Sequence, residues 1–223
     1  MPNHINFPGY KITENIHNGI HSRVFRAIRT ADDALVILKV FNKVLPNHED
    51  LLIFRHQYRI VKKINIAGIE KFTSFEQHQD QFALVMLDSG SMGLDQYLQK
   101  KPIDISVFLH IAVELIKILT DLHKNQIIHK DIKPANILIH PTNKKISLID
   151  FSISTNLPKE IQTLKNLSVI EGTLAYMSPE QTGRMNRGID YRSDYYSLGV
   201  TFYQMLTAQL PFENEDTLSI VHS

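Results

Sequence analysis

Between Tyr10 and Phe41 apolar residues come in short extended runs separated by turn-formers, which predicts an antiparallel meander. The runs are Tyr10-Lys11-Ile12, Arg23-Val24-Phe25-Arg26-Ala27-Ile28 and Ala34-Leu35-Val36-Ile37-Leu38-Lys39-Val40, with Asn18-Gly19 and Asp32-Asp33 between them. The period then changes. From Asn47 to Ile64, Leu51, Phe54, Tyr58, Val61 and Ile64 recur at threes and fours, the spacing of one helix face, with Asn47 as its cap. Strand character resumes at Lys71 to Phe75 and Phe82 to Leu87, and the cluster Asp88-Ser89-Gly90-Ser91-Met92-Gly93 breaks it.

Beyond the break, helical spacing dominates. Asp95 to Gln99 predicts a short helix and Ile105 to Lys124 a long amphipathic one. Two short strands are expected near Ile137 and over Ile146 to Ile149, then a long irregular segment, then a last helix from Arg192 to Thr207. No internal repeat or low-complexity stretch interrupts this order. The most apolar helical stretch, Ile111 to Leu122, is interrupted by Glu114, Lys117 and Asp121 and is far shorter than a membrane span, so it reads as a core helix.

Composition narrows the partners. With 223 residues, 43% hydrophobic and 21% charged, the chain can bury a substantial core, and disorder is not its default. A net charge of +1, from 24 basic and 23 acidic residues without a long basic run, argues against nucleic acid or an acidic membrane surface as a partner. The absence of cysteine excludes disulfides and thiolate metal sites; with no export-type opening segment, a cytoplasmic setting is expected. The 11 histidines lack the paired spacing of a zinc site.

Three ordered blocks carry the chemistry: His129-Lys130-Asp131-Ile132-Lys133-Pro134-Ala135-Asn136, then Asp150-Phe151-Ser152, then Ser178-Pro179-Glu180. Alone, Asp-x-Lys-Pro also reads as a turn, since proline presets φ and aspartate bonds locally. Together, flanked by Ile127-Ile128 and Ile137-Leu138-Ile139, the blocks resemble the catalytic half of a protein kinase. The resemblance implies an α+β, two-lobed fold: a small antiparallel-sheet lobe with one helix over residues 1–88, and a mainly helical large lobe over 89–223 with its C-terminal helices missing. It implies ATP and Mg2+ as cofactors and a protein serine or threonine hydroxyl as acceptor. Asp131 is then the base, Lys133 steadies the phosphate, and Asn136 and Asp150 hold the metal ions.

On the nucleotide side, the resemblance places the glycine-rich phosphate-covering hairpin at Asn15 to Val24, where the match is poor. His17 and Ser22 replace the first and third glycines and Gly19 alone remains, although backbone amides approach phosphates closely only where side chains do not intrude. Ile16 and Val24 offer apolar contacts to adenine, and Lys39 is the lysine of the α- and β-phosphates. Ile37 stands where alanine is usual and implies a tight adenine slot. Met86 is the gatekeeper, Leu87 to Ser89 present hinge backbone, and Leu138 and Ile149 complete the apolar pocket. The glutamate that normally fixes the lysine is replaced, 18 residues after Lys39, by Gln57, which accepts a hydrogen bond but has no charge. Lowered or differently controlled activity is expected.

On the substrate side, Lys133 resembles serine/threonine rather than tyrosine kinases, and Thr173 matches the threonine that bonds the catalytic aspartate and lysine. Lys130 replaces the usual arginine before the base and lacks its planar fork. Ser152 replaces a glycine that permits backbone flips. The activation segment from Asp150 to Glu180 contains Ser152, Ser154, Thr155, Thr163, Ser168 and Thr173, each a phosphosite candidate or a solvated loop residue. Tyr191 to Val200 matches the helix whose buried aspartate, here Asp194, holds the catalytic-loop backbone. Gly172 to Arg187 is also similar to the amino-terminal kinase-like domain of large bacterial multi-sensor signalling proteins. The chain stops at Ser223, where kinases continue into helices carrying an arginine partner for the equivalent of Glu180. Further domains or a partner are therefore expected to cover the large lobe.

The leading expectation is thus an ATP- and magnesium-dependent serine/threonine protein kinase. The rival class is a pseudokinase or nucleotide-binding regulatory module, motivated by Gln57, the degraded hairpin and the short tail. A kinase of small-molecule hydroxyls is a third reading, against which the Gly-Thr and Ser-Pro-Glu segment argues.

Overall fold

A change of hydrophobic period, from two to about 3.6 and back, divides the first ninety residues into strands and one helix. The computed structural model describes residues 7–19, 22–42, 48–99, 102–156, 174–182 and 188–212. The strands are β1 (Tyr10–Asn18), β2 (Ser22–Arg29), β3 (Leu35–Phe41), β4 (Phe72–His78) and β5 (Gln81–Leu87), with helix α1 (His48–Lys63) between β3 and β4. They form one antiparallel sheet in the order β1-β2-β3-β5-β4.

Alternation along these strands gives the sheet two different faces. Phe25, Ala27, Val36, Leu38, Val40, Ala83 and Val85 pack with Phe7 and Tyr10 on one. The other carries Phe41, Phe82 and Leu84 against Phe54 of α1. Register places Val24 opposite Lys39, Lys39 opposite Leu84 and Ile37 opposite Met86, so these residues share the α1-side face. Among the described side chains of α1 the buried ones are Phe54, Gln57, Ile60 and Val61, and Ile64 just past its end is buried as well. Gln57 thus interrupts an otherwise apolar stripe.

Strand β1 extends six residues past the expected Tyr10-Lys11-Ile12, through a polar stretch with no hydrophobic alternation. It does so by backbone pairing to β2 across two register shifts, in which Thr13 and Ile16 are the extra residues. The expected cap Asn47 lies outside the described residues.

A second compact unit, Asn65–Ile69 with Ser91–Ser223, is separate from the first, Met1–Ile64 with Glu70–Gly90. Its elements are β6 (Met92–Gly93), α2 (Leu94–Leu98), α3 (Ile105–Lys124), β7 (Ile127–Ile128), β8 (Ile137–Ile139), β9 (Ile146–Leu148), β10 (Thr155–Asn156) and α4 (Tyr191–Thr207). Asp104 caps α3 by accepting from Ser106 N at 2.7 Å, and the helix buries Ile111, Ala112, Leu115, Ile118, Leu119 and Leu122 at the spacing its sequence predicts. Asp190 caps α4 in the same way through Arg192 N. The fold is α+β, as expected from the order of elements.

Part of the breaker cluster is ordered as sheet: Met92 and Gly93 pair with Ile139 and Leu138, and β8 pairs onward with β9. Ile127-Ile128 likewise gains a partner, Thr155-Asn156, which lies within the segment expected to be irregular. Both pairings join residues far apart in sequence, so no local period signals them. Residues 65–69 belong with the second unit because Gly68 O accepts from Leu148 N at 2.7 Å and Ile69 bridges Leu148. Among the described residues no helix is long and apolar enough to cross a membrane.

Gly68 sits at φ +82°, and a Cβ there would meet Ile118 Cδ1 at 2.4 Å and Cγ1 at 2.6 Å. Gly68→Ala is therefore expected to destabilise the fold by about 2–4 kcal/mol, combining left-handed strain with overpacking. Urea unfolding of the two proteins checks this through a lower midpoint at unchanged slope.

Candidate active site

Asp194, in the first turn of α4, is fully buried, so its carboxylate requires partners on every side. It has them. Oδ1 accepts from Lys130 N at 2.7 Å, and Oδ2 accepts from His129 N at 2.9 Å and from His123 Nε2 at 2.8 Å. His123 lies in the last turn of α3, so this carboxylate joins α3, α4 and the loop between β7 and β8. Lys130 is held at φ +71°, a left-handed conformation that costs a non-glycine residue about 1–2 kcal/mol unless its surroundings enforce it.

His129 completes the frame. Its Nδ1 accepts from Asp131 N at 3.2 Å, so the ring proton is on Nε2, which donates to Ile149 O at 3.0 Å. Its ring also meets Phe151 edge-on at 4.7 Å. One buried imidazole thereby joins the 129–136 loop to the residues on either side of Asp150.

On this frame the two oxygens of Asp131 are made unequal. Oδ2 accepts from Asn136 Nδ2 at 2.7 Å and pairs with Lys133 Nζ at 2.9 Å. Oδ1 is buried with no hydrogen-bond partner among the described residues. A carboxylate with one oxygen saturated and the other unmet is arranged to accept one further proton donor, and leaving it so is costly unless a ligand fills the place. Pro134, at the start of a short 3-10 turn over Pro134–Asn136, turns the chain so that Asn136 returns to Asp131.

Asn136 Nδ2 also donates to Asp131 O at 2.9 Å, which leaves the amide oxygen as its acceptor end. Ile149 N donates to Asn136 O at 3.0 Å, bringing the residue before Asp150 against the loop. Asp150 takes φ +65°, a region aspartate tolerates better than most residues, and its Oδ1 accepts from Ser152 N at 3.3 Å. Asn136 and Asp150 together offer hard oxygen donors of the type magnesium takes alongside water and phosphate oxygens. Ser152, at the position expected to be glycine, shows no positive φ; the left-handed turn falls on Asp150 instead.

Residues 174–182 form a second wall of this unit. Tyr176 O accepts from Ser197 Oγ at 2.7 Å and Tyr176 OH donates to Gln204 Oε1 at 2.6 Å, both on α4. Glu180 accepts from Ser193 Oγ at 2.6 Å, so a helix hydroxyl meets the carboxylate for which an arginine was expected. Gln181 donates to Lys130 O at 2.9 Å. Leu138 is half-buried between the fully buried Ile137 and Ile139, on the other side of β8, and Ile149 is half-buried.

In the first unit, Lys39 Nζ donates to Gln57 Oε1 at 3.3 Å, with the Phe54 ring 6.0 Å from the ammonium. The neutral amide does accept the lysine. Val24, Ile37 and Met86 share the lysine's sheet face, and Ile16 is the half-buried extra residue at a β1 bulge. Gly19 closes the hairpin with its N donating to Ser22 O at 2.9 Å and its O accepting from Asn42 Nδ2 at 2.6 Å. Asp88 N donates to Leu35 O at 3.0 Å, which leaves the flanking Leu87 and Ser89 as the hinge backbone to consider. Leu87 itself is exposed. Of the hydroxyl candidates, Ser154 is buried and donates to Phe151 O at 2.7 Å, which makes it a structural hydroxyl in this conformation. Thr163, Ser168 and Thr173 lie outside the described residues, as does Gly183 to Arg187.

Several residues of the site were not singled out from the sequence. His129 and Gln181 lie inside quoted motifs, but nothing in their spacing says that one orders the loop and the other bridges to it. Ser193 lies inside the quoted Tyr191 to Val200 stretch without being singled out, and His123 carries no motif at all. Arg26, whose Nε donates to the buried Asp88 carboxylate at 2.6 Å and which also pairs with Glu14, is invisible in one dimension because its partners are 62 and 12 residues away.

The profile of a family described as protein kinase domain matches residues 10–223. The serine/threonine-protein kinase pkn3 of Myxococcus xanthus is 29% identical over 219 residues, 94% of this chain and 39% of the relative. PrkC of Bacillus subtilis is 30% identical over 216 residues, covering 95% and 32% respectively. PknL of Mycobacterium tuberculosis is 30% identical over 217 residues, covering 96% and 53%. The chain spans between about a third and about half the length of these curated relatives.

Two outcomes follow from the burial in this unit. Asp194→Asn keeps the shape but turns an amide N–H₂ toward a backbone donor, and is expected to cost about 3 kcal/mol in urea unfolding. Burial pushes the Tyr176 hydroxyl up to about 12, with the charge of Asp95 adding to the effect. The unfolded hydroxyl ionises near 10, so this contribution to stability is complete below about pH 10 and is lost as pH rises toward about 12. Thermal melts across the alkaline range should fall less steeply for Tyr176→Phe than for the parent.

Proposed function

The chain belongs to the protein kinase domain family and to its serine/threonine type, and on that premise we propose that it transfers the γ-phosphate of ATP to a serine or threonine hydroxyl of a protein substrate. The observation that carries this reading is Asp131, with Oδ2 held by Asn136 and Lys133 and Oδ1 unmet. The substrate hydroxyl donates to Oδ1. As its oxygen bonds to the γ-phosphorus, the bond from phosphorus to the bridging oxygen of the leaving diphosphate breaks and the hydroxyl proton passes to Asp131. Lys133 pairs with this carboxylate before transfer and balances charge on the moving phosphoryl group.

Asn136 and Asp150 are the residues that would hold magnesium, which when bound neutralises charge on the phosphate oxygens. Lys39 contacts the α- and β-phosphates. Ile16, Gly19, Val24, Ile37 and Met86 from residues 1–88, and Leu138 and Ile149 from residues 89–223, contact the nucleotide, with Leu87 and Ser89 contributing backbone groups. The cytoplasm, where ATP is abundant, is the compartment this chemistry requires.

A second reading is supported by one observation. Lys39 donates to the neutral, buried Gln57, and a neutral amide holds an ammonium less strongly than the carboxylate usual at that position. A nucleotide-binding regulatory module with little or no transfer would tolerate this.

Phosphate transfer from γ-labelled ATP to generic protein substrates separates the two. We expect Asp131→Asn to lower kcat on the order of a thousandfold while nucleotide affinity persists. Nucleotide binding by the parent protein without any labelled product would overturn the transferase reading and leave the module.

A further inference from the structure

Lys130 O is the carbonyl of the peptide whose N–H belongs to Asp131. The plane of that peptide therefore decides where the base begins. Its N–H is directed at His129 Nδ1 at 3.2 Å, and its carbonyl receives Gln181 Nε2 at 2.9 Å. At the other end of Lys130, the N–H is held by Asp194 at 2.7 Å. A residue in left-handed conformation is thus gripped on both backbone polar groups, by α4 on one side and by Gln181 on the other.

Gln181 is itself fully committed. It is buried, with 4% of its surface exposed, and its Oε1 accepts from Ser178 N at 3.2 Å and from Ser178 Oγ at 3.1 Å. Ser178 N can only donate, which fixes the amide with its oxygen toward Ser178 and its nitrogen toward Lys130. Only a side chain that accepts at one end and donates at the other satisfies both sides. Glutamate matches the shape but, ionised, presents an oxygen to the Lys130 carbonyl. Methionine matches the length and supplies neither group.

The turn that carries Gln181 is docked on α4 through Tyr176, Glu180 and the Ser193 and Ser197 hydroxyls. We infer that Gln181 is a positioning residue for phosphoryl transfer: it makes the geometry of Asp131 depend on the seating of the Ser178–Gln181 turn, so that the base is set only when this segment is in place. The inference rests on the kinase reading for its consequence in catalysis, and on the hydrogen bonds alone for its structural part. Gln181 touches neither the base nor a reacting atom. It acts through the peptide between residues 130 and 131.

The test uses Gln181→Glu and Gln181→Met, with folding verified by urea unfolding. At neutral pH both should lose kcat on the order of tenfold to a hundredfold with the KM for ATP unchanged, because the nucleotide residues are not altered. Lowering the pH should restore kcat selectively in Gln181→Glu, since the protonated carboxyl again donates to Lys130 O. A merely structural role predicts no such recovery. Amide hydrogen exchange at residues 129–131 should quicken in Gln181→Met and, at neutral pH, in Gln181→Glu. Wild-type kcat and exchange in Gln181→Met would overturn the inference, as would Gln181→Glu following Gln181→Met at every pH. Should the parent protein transfer no phosphate, the kinase reading fails, and the exchange measurement still decides whether Gln181 holds the loop.

Discussion

One buried carboxylate organises the second unit. Asp194 is removed from water, and a charge in that position persists only where hydrogen bonds replace its hydration. Two of its three donors are consecutive backbone amides, of His129 and Lys130, and the third is a histidine from the end of α3. Satisfying the carboxylate therefore fixes the backbone just before Asp131. The left-handed turn at Lys130 is a consequence of that demand.

The asymmetry of Asp131 follows from the same frame. Once the backbone of 129–131 is set, Pro134 and the 3-10 turn return Asn136 to the carboxylate, and Lys133 reaches the same oxygen. Both partners converge on Oδ2, and Oδ1 has no hydrogen-bond partner among the described residues. His129 extends the frame toward Asp150 by accepting from Asp131 N and donating to Ile149 O, so one ring ties together the backbone at Asp131 and at Ile149. The segment 174–182 adds hydroxyl and amide hydrogen bonds to the arrangement from the other side.

The first unit shows a weaker version of the same logic. Gln57 occupies a buried position in the α1 stripe between Phe54 and Val61, where a leucine would be expected on packing grounds alone. Its presence there is explained by Lys39, which needs an acceptor on that face of the sheet. The bond is neutral to charged, and so holds the helix to the lysine less firmly than an ion pair does. Near the end of β5, by contrast, the Arg26 pair with the buried Asp88 carboxylate is charged on both sides and raises the arginine's already high pKa.

Periodicity in the chain was enough to determine the five-strand and single-helix order of the first unit and the limits of α3, because both patterns are local and repeat over several turns or pleats. The blocks at 129–136, 150–152 and 178–180 carried the resemblance to the protein kinase family to which the chain belongs. Only the tertiary structure decided which oxygen of Asp131 is unmet, that the left-handed turn falls on Asp150 and not Ser152, and that β6 and β10 exist. It also decided that Glu180 is met by Ser193 and that Gln181 reaches Lys130. The Asp131 and Asp150 geometries rest on bonds two to five residues apart, whereas β6, β10 and the bonds of Glu180 and Gln181 join partners separated by loops or whole helices. Burial selects such partners through the cost of leaving a polar group unpaired, and that cost has no signature in the order of residues.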